Sequence, residues 1–560
     1  MSEMARICAI PRVEPQPVDL NPYLLRGTHA YRLRPVQSLG LAVIAHMRGL
    51  LGFMRVGSGK TLLCALAGTM LRAKYTIVLT SAPLVADMDA AYRDVACKYF
   101  HTYGTTKAMS YDALSGENNS EVLDRYLQRF GSELAIVADE CHSLRDLTRA
   151  RTIRLGRLLL ANPTIPFVAV SGTITRSSLY EYAHLADWAL RASSPVPRPS
   201  YPDCLRKLAD CMDLKSEPDS ESFRYGEALA MWAGIQWPSR EATAEDRKRA
   251  TRSAHFIRLK SAPGVVVTES SDDYNGKLTI TKVKLPIPEN VQHALADLAI
   301  NGLLPNGDVA EDPLSQWRAE MQIATGFFYF WQWPNGIKDQ AWIDARREWH
   351  KFVRAELTNS ASTNYDSPSL VKRAVESAMQ SAVWHPGIPL YRAWLPHSAK
   401  RWNGQDTPPT VGVVLSDFLV REAVALTKGQ PPTLIWYASD ECAEMLKRLG
   451  IDCFGSGSHL PRKARTIGIS WRVFKQGKNL QDRWYRMIVL EPPASGEHWE
   501  QLIGRVYRSG QPSDHIDVLI PQHATPYINA LRNALNETRE YMQTLTTVPL
   551  LLTRATFAEG

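Results

Sequence analysis

Cysteine is scarce in this chain: eight in 560 residues, with no Cys-x-x-Cys pair and six residues between the closest two, Cys204 and Cys211. This excludes a disulfide-built scaffold and a zinc ribbon, and predicts a reduced, metal-free intracellular protein. Long apolar runs are also missing. The most apolar stretch near the start, Leu39 to Met54, is broken by His46 and Arg48. It is too short and too polar to cross about 30 Å of hydrocarbon. The first 21 residues carry Glu3, Arg6, Arg12, Glu14 and several prolines. They lack the apolar centre of a secretory signal, so the expected location is the cytoplasm, with no membrane partner. There is no internal repeat and no low-complexity tract. Charge of neither sign dominates: 65 Lys and Arg against 57 Asp and Glu give +8. That is a mild bias toward polyanions rather than a nucleic-acid signature. With 45% hydrophobic and 22% charged residues, a disordered, collagenous or coiled-coil chain is excluded. The length corresponds to roughly three to four domains.

What is present is an alternation of short apolar runs with amphipathic ones at both ends of the chain. Strands are expected at Tyr75–Thr80, Leu134–Ala138 and Pro166–Val170, and again at Thr433–Tyr437, Arg486–Glu491 and Ile516–Leu519. Each is a mostly apolar run of strand length, as in parallel strands buried on both faces. Asp440–Gly450 places Cys442, Met445, Leu446 and Leu449 on one helical face and stops at glycine. The middle reads differently. Segments 288–305, 314–333, 339–358 and 367–384 have helical periodicity, the last opening with Ser367 and Pro368. Residues 192–203 are expected to form a linker or surface excursion, and 403–410 another linker, from their prolines. The predicted fold class is therefore α/β: a first parallel-sheet lobe over 1–285 with an inserted segment at about 190–255, a helical region over 286–410, and a second parallel-sheet lobe over 411–560 ending in helices.

The segment Met54-Arg-Val-Gly-Ser-Gly-Lys-Thr61 lies between an apolar run and a helical one, the setting of a phosphate loop. Gly57, Ser58 and Gly59 let backbone N–H groups converge on phosphate oxygens, and the following helix start favours the anion. Lys60 would reach the β- and γ-phosphates of ATP, and Thr61 would hold Mg²⁺. Met54 stands where the strict pattern has glycine. Seventy-nine residues after Lys60, an apolar run ends in Asp139-Glu140-Cys141-His142. Two carboxylates at the carboxyl edge of a sheet suit Mg²⁺ binding by Asp139 and deprotonation of an attacking water by Glu140. Far downstream, Gln501, Arg505 and Arg508 fall at i, i+4 and i+7, one face of a helix. Paired guanidinium groups suit the charge that develops on a transferring phosphoryl group.

Asp-Glu-Cys-His resembles a DEAD/DEAH-type box, and with the phosphate loop the chain is similar to a superfamily II helicase or translocase. The resemblance extends in family order from about residue 33 to 511. Leu33-Arg-Pro-Val-Gln37 resembles the adenine-contacting segment, which implies Gln37 as base reader. Thr80-Ser81-Ala-Pro83 and Ser110-Tyr111-Asp-Ala-Leu114 resemble nucleic-acid-contacting loops. Ser171-Gly-Thr173 resembles the motif coupling hydrolysis to strand movement, with His142 in the same coupling role. Residues 435–439 stand where the family has its fourth motif, and Gln476-Gly477-Lys-Asn479-Leu480 resembles the fifth. Gln501 to Gln511 resembles the sixth, whose arginines act as fingers on ATP. Its trailing Arg-x-Gly-Gln and the Leu-x-Pro-x-Gln entry are similar to the Swi/Snf-like branch. Ser253–Val267 and Gln322–Phe328 are similar to phage-encoded members, for which the compartment would be the bacterial host cytoplasm. The resemblance implies two RecA-like lobes, ATP and Mg²⁺ as cofactors, and DNA, duplex or forked, as partner, along with replication or recombination proteins. RNA is the alternative substrate. A packaging-type ATPase lacks its nuclease carboxylate cluster here, and a motor-less nucleotide-gated clamp predicts losses among Lys60, Glu140 and the arginines that have not occurred.

Two further features stand apart. The aromatic run Phe327–Trp333 is expected to pack the helical region rather than to stack bases, because consecutive aromatics diverge on a helix. The basic run Arg247, Lys248, Arg249 and Arg252 is expected at a solvated surface, beside Glu241, Glu245 and Asp246.

Overall fold

The computed structural model describes residues 2–560, apart from 15, 28–30, 56, 116–120, 176–177, 214–215, 240, 269–273, 311, 360–367, 403, 456–457, 459, 475–478 and 546–549. The chain divides into two compact units, Met1–Tyr274 with Leu535–Thr553, and Asn275–Ala534 with Arg554–Gly560.

The first unit is built on six parallel strands: β1 (Gly49–Phe53), β2 (Tyr75–Thr80), β3 (Thr105–Ser110), β4 (Leu134–Asp139), β5 (Phe167–Ser171) and β6 (Val265–Val267). Their order is β3-β2-β4-β5-β1-β6. Successive residues serve opposite faces, as the pleat requires. Ile77, Leu79, Ile136 and Ala138 join one core, while Val78 and Val137 join the other. Both faces are covered, so the strands read as continuous apolar runs. Each buried aliphatic side chain contributes roughly 1.5–3 kcal/mol by leaving water.

The segment expected as an insertion at 190–255 packs into this unit. Helices Pro202–Asp210, Ser220–Ala233 and Ala244–Lys260 add Leu205, Leu208, Leu229 and Ala254 to the first core. The basic run on the last of these helices corrects the surface expectation. Lys248 and Arg252 are buried. Lys248 donates to the carbonyls of Asp213 and Ser216 at 2.7 and 2.6 Å, and Arg252 to that of Met212 at 3.1 Å. These charges satisfy carbonyls that a helix end and loop would otherwise leave bare.

The second unit holds β7 (Lys277–Val283), β8 (Phe327–Trp331), β9 (Thr410–Val414), β10 (Thr433–Tyr437), β11 (Cys453–Phe454), β12 (Ile467–Ser470), β13 (Arg486–Val489), β14 (His515–Pro521) and β15 (Thr556–Glu559). Seven of them form a second parallel sheet in the order β11-β12-β10-β13-β14-β7-β15. The fold is thus α/β with two parallel-sheet lobes of RecA-like kind. Strand β7 pairs with β14 from His515↔Lys277 to Pro521↔Val283, so the division falls at 274 rather than 285. The helical region belongs to the second unit. Among its elements are helices Glu289–Asn301, Pro313–Thr325, Gln340–Asn359 and Pro368–Gln380.

The aromatic run is a strand, not part of a helix. Gly326, at φ +109°, ends the preceding helix. β8 then pairs antiparallel with β9. Alternation sends Phe327 and Tyr329 to one core and Phe328 and Phe330 to another.

Candidate functional site

In the first unit the strand order brings the candidate residues together. β5 lies between β4 and β1, so Asp139 pairs in register with Val170, and Phe53 with Ser171. The acid pair, Ser171 and the phosphate loop therefore leave neighbouring strands at the same sheet edge, where α/β ligand sites form.

The loop turns at Gly57 and Gly59, with φ of +91° and +84°. A Cβ at Gly59 would lie 2.3 Å from Gln37 Nε2 and displace that amide from the loop, and the φ of +84° by itself favours glycine. The helix Lys60–Leu71 starts at once, aiming its free N–H groups at the loop. Two residues of the Leu33–Gln37 segment tie the loop down. Gln37 Nε2 donates to the Gly59 carbonyl at 2.9 Å, and Arg34 Nη1 to that of Gly57 at 2.6 Å. Gln37 Oε1 also accepts from the Arg34 N–H at 2.8 Å. The side chain of Gln37 is buried and holds the loop's shape.

Lys60 is buried beneath the loop, where its ammonium donates to the carbonyls of Met54 and Arg55 at 3.1 and 3.3 Å. It lies 3.3 Å from Glu140 Oε1. Thr61, one residue on, is exposed. Glu140 has a left-handed backbone, φ +52° and ψ +53°. That conformation disfavours a side-chain-bearing residue by about 1 kcal/mol or more. The surrounding contacts hold it there. Ser171 Oγ donates to Glu140 Oε2 at 3.0 Å and lies 2.9 Å from His142 Nδ1. The Thr173 N–H reaches the same hydroxyl at 3.2 Å. The base candidate and all three coupling candidates thus share one hydrogen-bonded cluster.

The two carboxylates are pushed apart electrostatically. Burial raises Asp139 to about 7, reinforced by the charge of Glu140. Burial acts on Glu140 too, but Lys60 and His142 outweigh it and hold this carboxyl well below the usual range. Asp139 receives a hydrogen bond from Thr80 Oγ1 at 3.3 Å. This splitting leaves Glu140 ionised and makes Asp139 the easier of the two to protonate, although Lys60 acts on both. Oxygen donors on Asp139 and an exposed Thr61 hydroxyl fit Mg²⁺, which keeps most of its water and takes few protein ligands. Cys141 is fully buried and its thiol is pushed well above the ordinary value by that burial, so it takes no part.

The nucleic-acid candidates fare differently. Ser81 is half-buried and Pro83 exposed at the end of β2. Ser110 caps the turn after β3 by accepting from the Ala113 N–H at 3.1 Å. Tyr111 is buried, and its hydroxyl donates to the Asp139 carbonyl at 2.8 Å. Its side chain supports the acid strand and is not presented to a ligand, because an apolar pocket takes the ring and Asp139 takes the hydroxyl. Gly477 lies outside the described residues.

In the second unit the helix carrying Gln501 ends at Ile503, with Gly504 as its cap. Arg505 and Arg508 follow in turns, so the expected single helical face does not form. Gln501 and Arg505 are buried, with Arg505 Nε donating to the Gln501 carbonyl at 3.1 Å. Arg508 is half-exposed and donates to Asn479 Oδ1 at 2.5 Å, joining the fifth-motif and sixth-motif candidates. Gln511 is buried and spans the carbonyls of Trp484 and Val506 at 3.0 and 3.1 Å, fixing the turn.

Three contributors were not read from the sequence. Arg34 and Thr80 sat inside quoted motifs with no role assigned. Tyr541, whose hydroxyl donates to the Gly172 carbonyl at 3.2 Å, had no local signal, being 369 residues away. Among the described residues, no helix is long and apolar enough to cross a membrane, and no cluster of three or more His, Cys, Asp or Glu could hold a metal. No protein-family model matches the chain, and no curated protein matches it.

Proposed function

We propose that the chain is an ATP-dependent motor that moves along DNA, a helicase or translocase of the kind its motifs resemble. The observation that carries the reading is the Lys60–Glu140–Ser171–His142 cluster at the mouth of a glycine loop. The loop N–H groups and Lys60 bind the phosphates, and Thr61 with Asp139 holds Mg²⁺. The metal would neutralise charge on the β- and γ-phosphate oxygens. Glu140 orients the attacking water and accepts its proton. Lys60 lies against Glu140, which makes that carboxylate a weak base. When a γ-phosphate takes over Lys60, Glu140 loses its neighbouring cation and becomes more basic as substrate arrives. Ser171 transmits the change from Glu140 to the strand end that carries Gly172 and Thr173. Arg505 and Arg508 stabilise charge on the transferring phosphoryl group, as the resemblance implies. The preference for DNA, with RNA as the alternative, rests on the Swi/Snf-like segments alone.

The test is ATP hydrolysis by the full chain with single-stranded DNA, duplex DNA and RNA side by side. Stimulation by DNA is expected. Lys60→Ala should abolish turnover. Glu140→Gln should bind ATP yet lose hydrolysis by on the order of 10³-fold. Undiminished hydrolysis in Glu140→Gln would remove the base assignment.

A further inference from the structure

The second unit contains a groove that the motif reading leaves unused. It lies among the helix Pro313–Thr325, strands β8 and β9, and the helix Gln340–Asn359, and it encloses about 830 Å³. Its lining carries six arginines and lysines against two aspartates. Both acids are already engaged. Asp308 pairs with Lys338 at 3.4 Å, and Asp312 caps a helix by accepting from the N–H groups of Leu314 and Ser315, each at 2.9 Å. Arg347 is held by Asp344 at 2.7 Å. Arg318 and Lys351 are exposed and make no ion pair among the described residues. Arg346, Lys351 and Arg354 recur along one helix, over about 12 Å at 1.5 Å per residue. The positive field is felt within the groove: burial first, then Arg346 and Arg354, push the imidazole of His350 below its ordinary value.

The aromatic run ends in this groove. Strand alternation sends the first four rings to two cores, but Trp331 and Trp333 line the cavity and remain half-exposed. Behind them stands Trp342, fully buried, at 5.7 and 6.0 Å between ring centroids. The Arg346 guanidinium lies over the Trp331 ring at 5.9 Å. Fixed rings beside a row of cations offer stacking to bases and charge to phosphates.

We infer that this groove binds a single strand of nucleic acid, with phosphates along Arg318, Lys351 and Arg354 and bases against Trp331 and Trp333. A cavity of this size takes a nucleotide or two rather than a duplex, and only unpaired bases have faces free for tryptophan. The choice of nucleic acid among polyanions rests on the motor reading; the groove and its charge do not.

The test uses the full chain without nucleotide and a fluorescein-labelled oligothymidine, read by fluorescence anisotropy over a salt series. Arg318→Glu with Lys351→Glu should weaken binding by at least tenfold and flatten its salt dependence, since each phosphate contact adds to that slope. The milder Arg318→Gln with Lys351→Gln should weaken it less, in the same direction. Lys428→Glu, an exposed reversal elsewhere in the same unit, should change it little. Trp333→Ala should reduce both affinity and the quenching of tryptophan emission by the oligonucleotide. Affinity within twofold of the parent in both double variants would overturn the inference, as would equal competition by polyglutamate or a stronger grip on duplex than on single strand. Binding is read without ATP. Groove-dependent binding by a chain that hydrolyses no ATP would keep this inference and remove the motor reading, whereas DNA-stimulated hydrolysis with unaltered binding in the groove variants would do the reverse.

Discussion

The two units treat positive charge in opposite ways. In the first, the buried Lys60 ammonium faces a carboxylate 3.3 Å away, and that carboxylate also meets a serine and a histidine. In the second, the cations of the groove outnumber the acids: Asp308 pairs with Lys338 of the same lining and Asp312 accepts from a helix start, while Arg318 and Lys351 make no ion pair among the described residues. A buried charge must be compensated by the chain itself. A half-exposed one can wait in water for an external anion. The first arrangement balances its charge within the chain; the second leaves the Arg318 and Lys351 cations exposed to solvent.

The comparison is broken most severely if the second unit's arginines also act on phosphate chemistry. Arg508→Ala should lower turnover by on the order of 10³-fold while ATP affinity changes far less, measured by steady-state hydrolysis and by nucleotide titration. Arg505→Ala should do the same, but Arg505 is buried, so its thermal midpoint must be followed to separate chemistry from unfolding. Near-normal turnover in both would confine phosphate chemistry to the first unit.

A smaller effect sharpens the description of the first unit. Ser171→Ala removes the hydroxyl that donates to Glu140 and meets His142. Turnover should fall by on the order of tenfold, the worth of one hydrogen bond to a charged group. ATP binding should hold. Loss of binding with turnover per bound ATP intact would place Ser171 in nucleotide capture instead.

A separate effect, on stability rather than turnover, concerns acid. In the first unit His184 is depressed to about 4 and His255 to about 3, in both cases first by burial. The unfolded chain takes up these protons near pH 6.5, the folded chain only near 4 and 3. The unfolded state therefore binds more protons through that window, and stability, complete above pH 6.5, falls as the pH drops through it. Each histidine accounts for on the order of 3 kcal/mol by pH 4. Urea titrations at stepped pH should find this loss, and His255→Gln should shrink it. A first unit equally stable at pH 7 and 4.5 would contradict the burial of these rings as the controlling factor.

Much of the first unit's site was legible because its chemistry is local. A strand, a glycine turn and Lys-Thr lie within a dozen residues, and Asp139-Glu140 are adjacent. The left-handed turn at Glu140 was not legible, since glutamate gives no sign of it and neighbouring strands impose it. Tyr111 was misread because its motif position says nothing of which way the ring points. The arginines were placed on one helical face with Gln501 by counting, yet the helix ends at Gly504, before either of them. The aromatic run packs as expected for its first four rings, but as a strand rather than a helix, because Gly326 switches the period. Lys248 and Arg252 fell to a different cause: loop carbonyls drew two long cations inward, which charge counting cannot anticipate.

The helix Thr525–Leu545 begins in the second unit, where Tyr527 is buried, and ends in the first, where Tyr541 touches Gly172. β15 then returns the chain to pair with β7. On a ribosome, where chains emerge from the N-terminus onward, the strands that bear Lys60 and Glu140 appear early. Their core still lacks Tyr541 until almost all the rest has been made. Completion of the first unit's core is thus postponed until most of the second exists, and a nascent chain carries Lys60 and Glu140 without a finished interior around them.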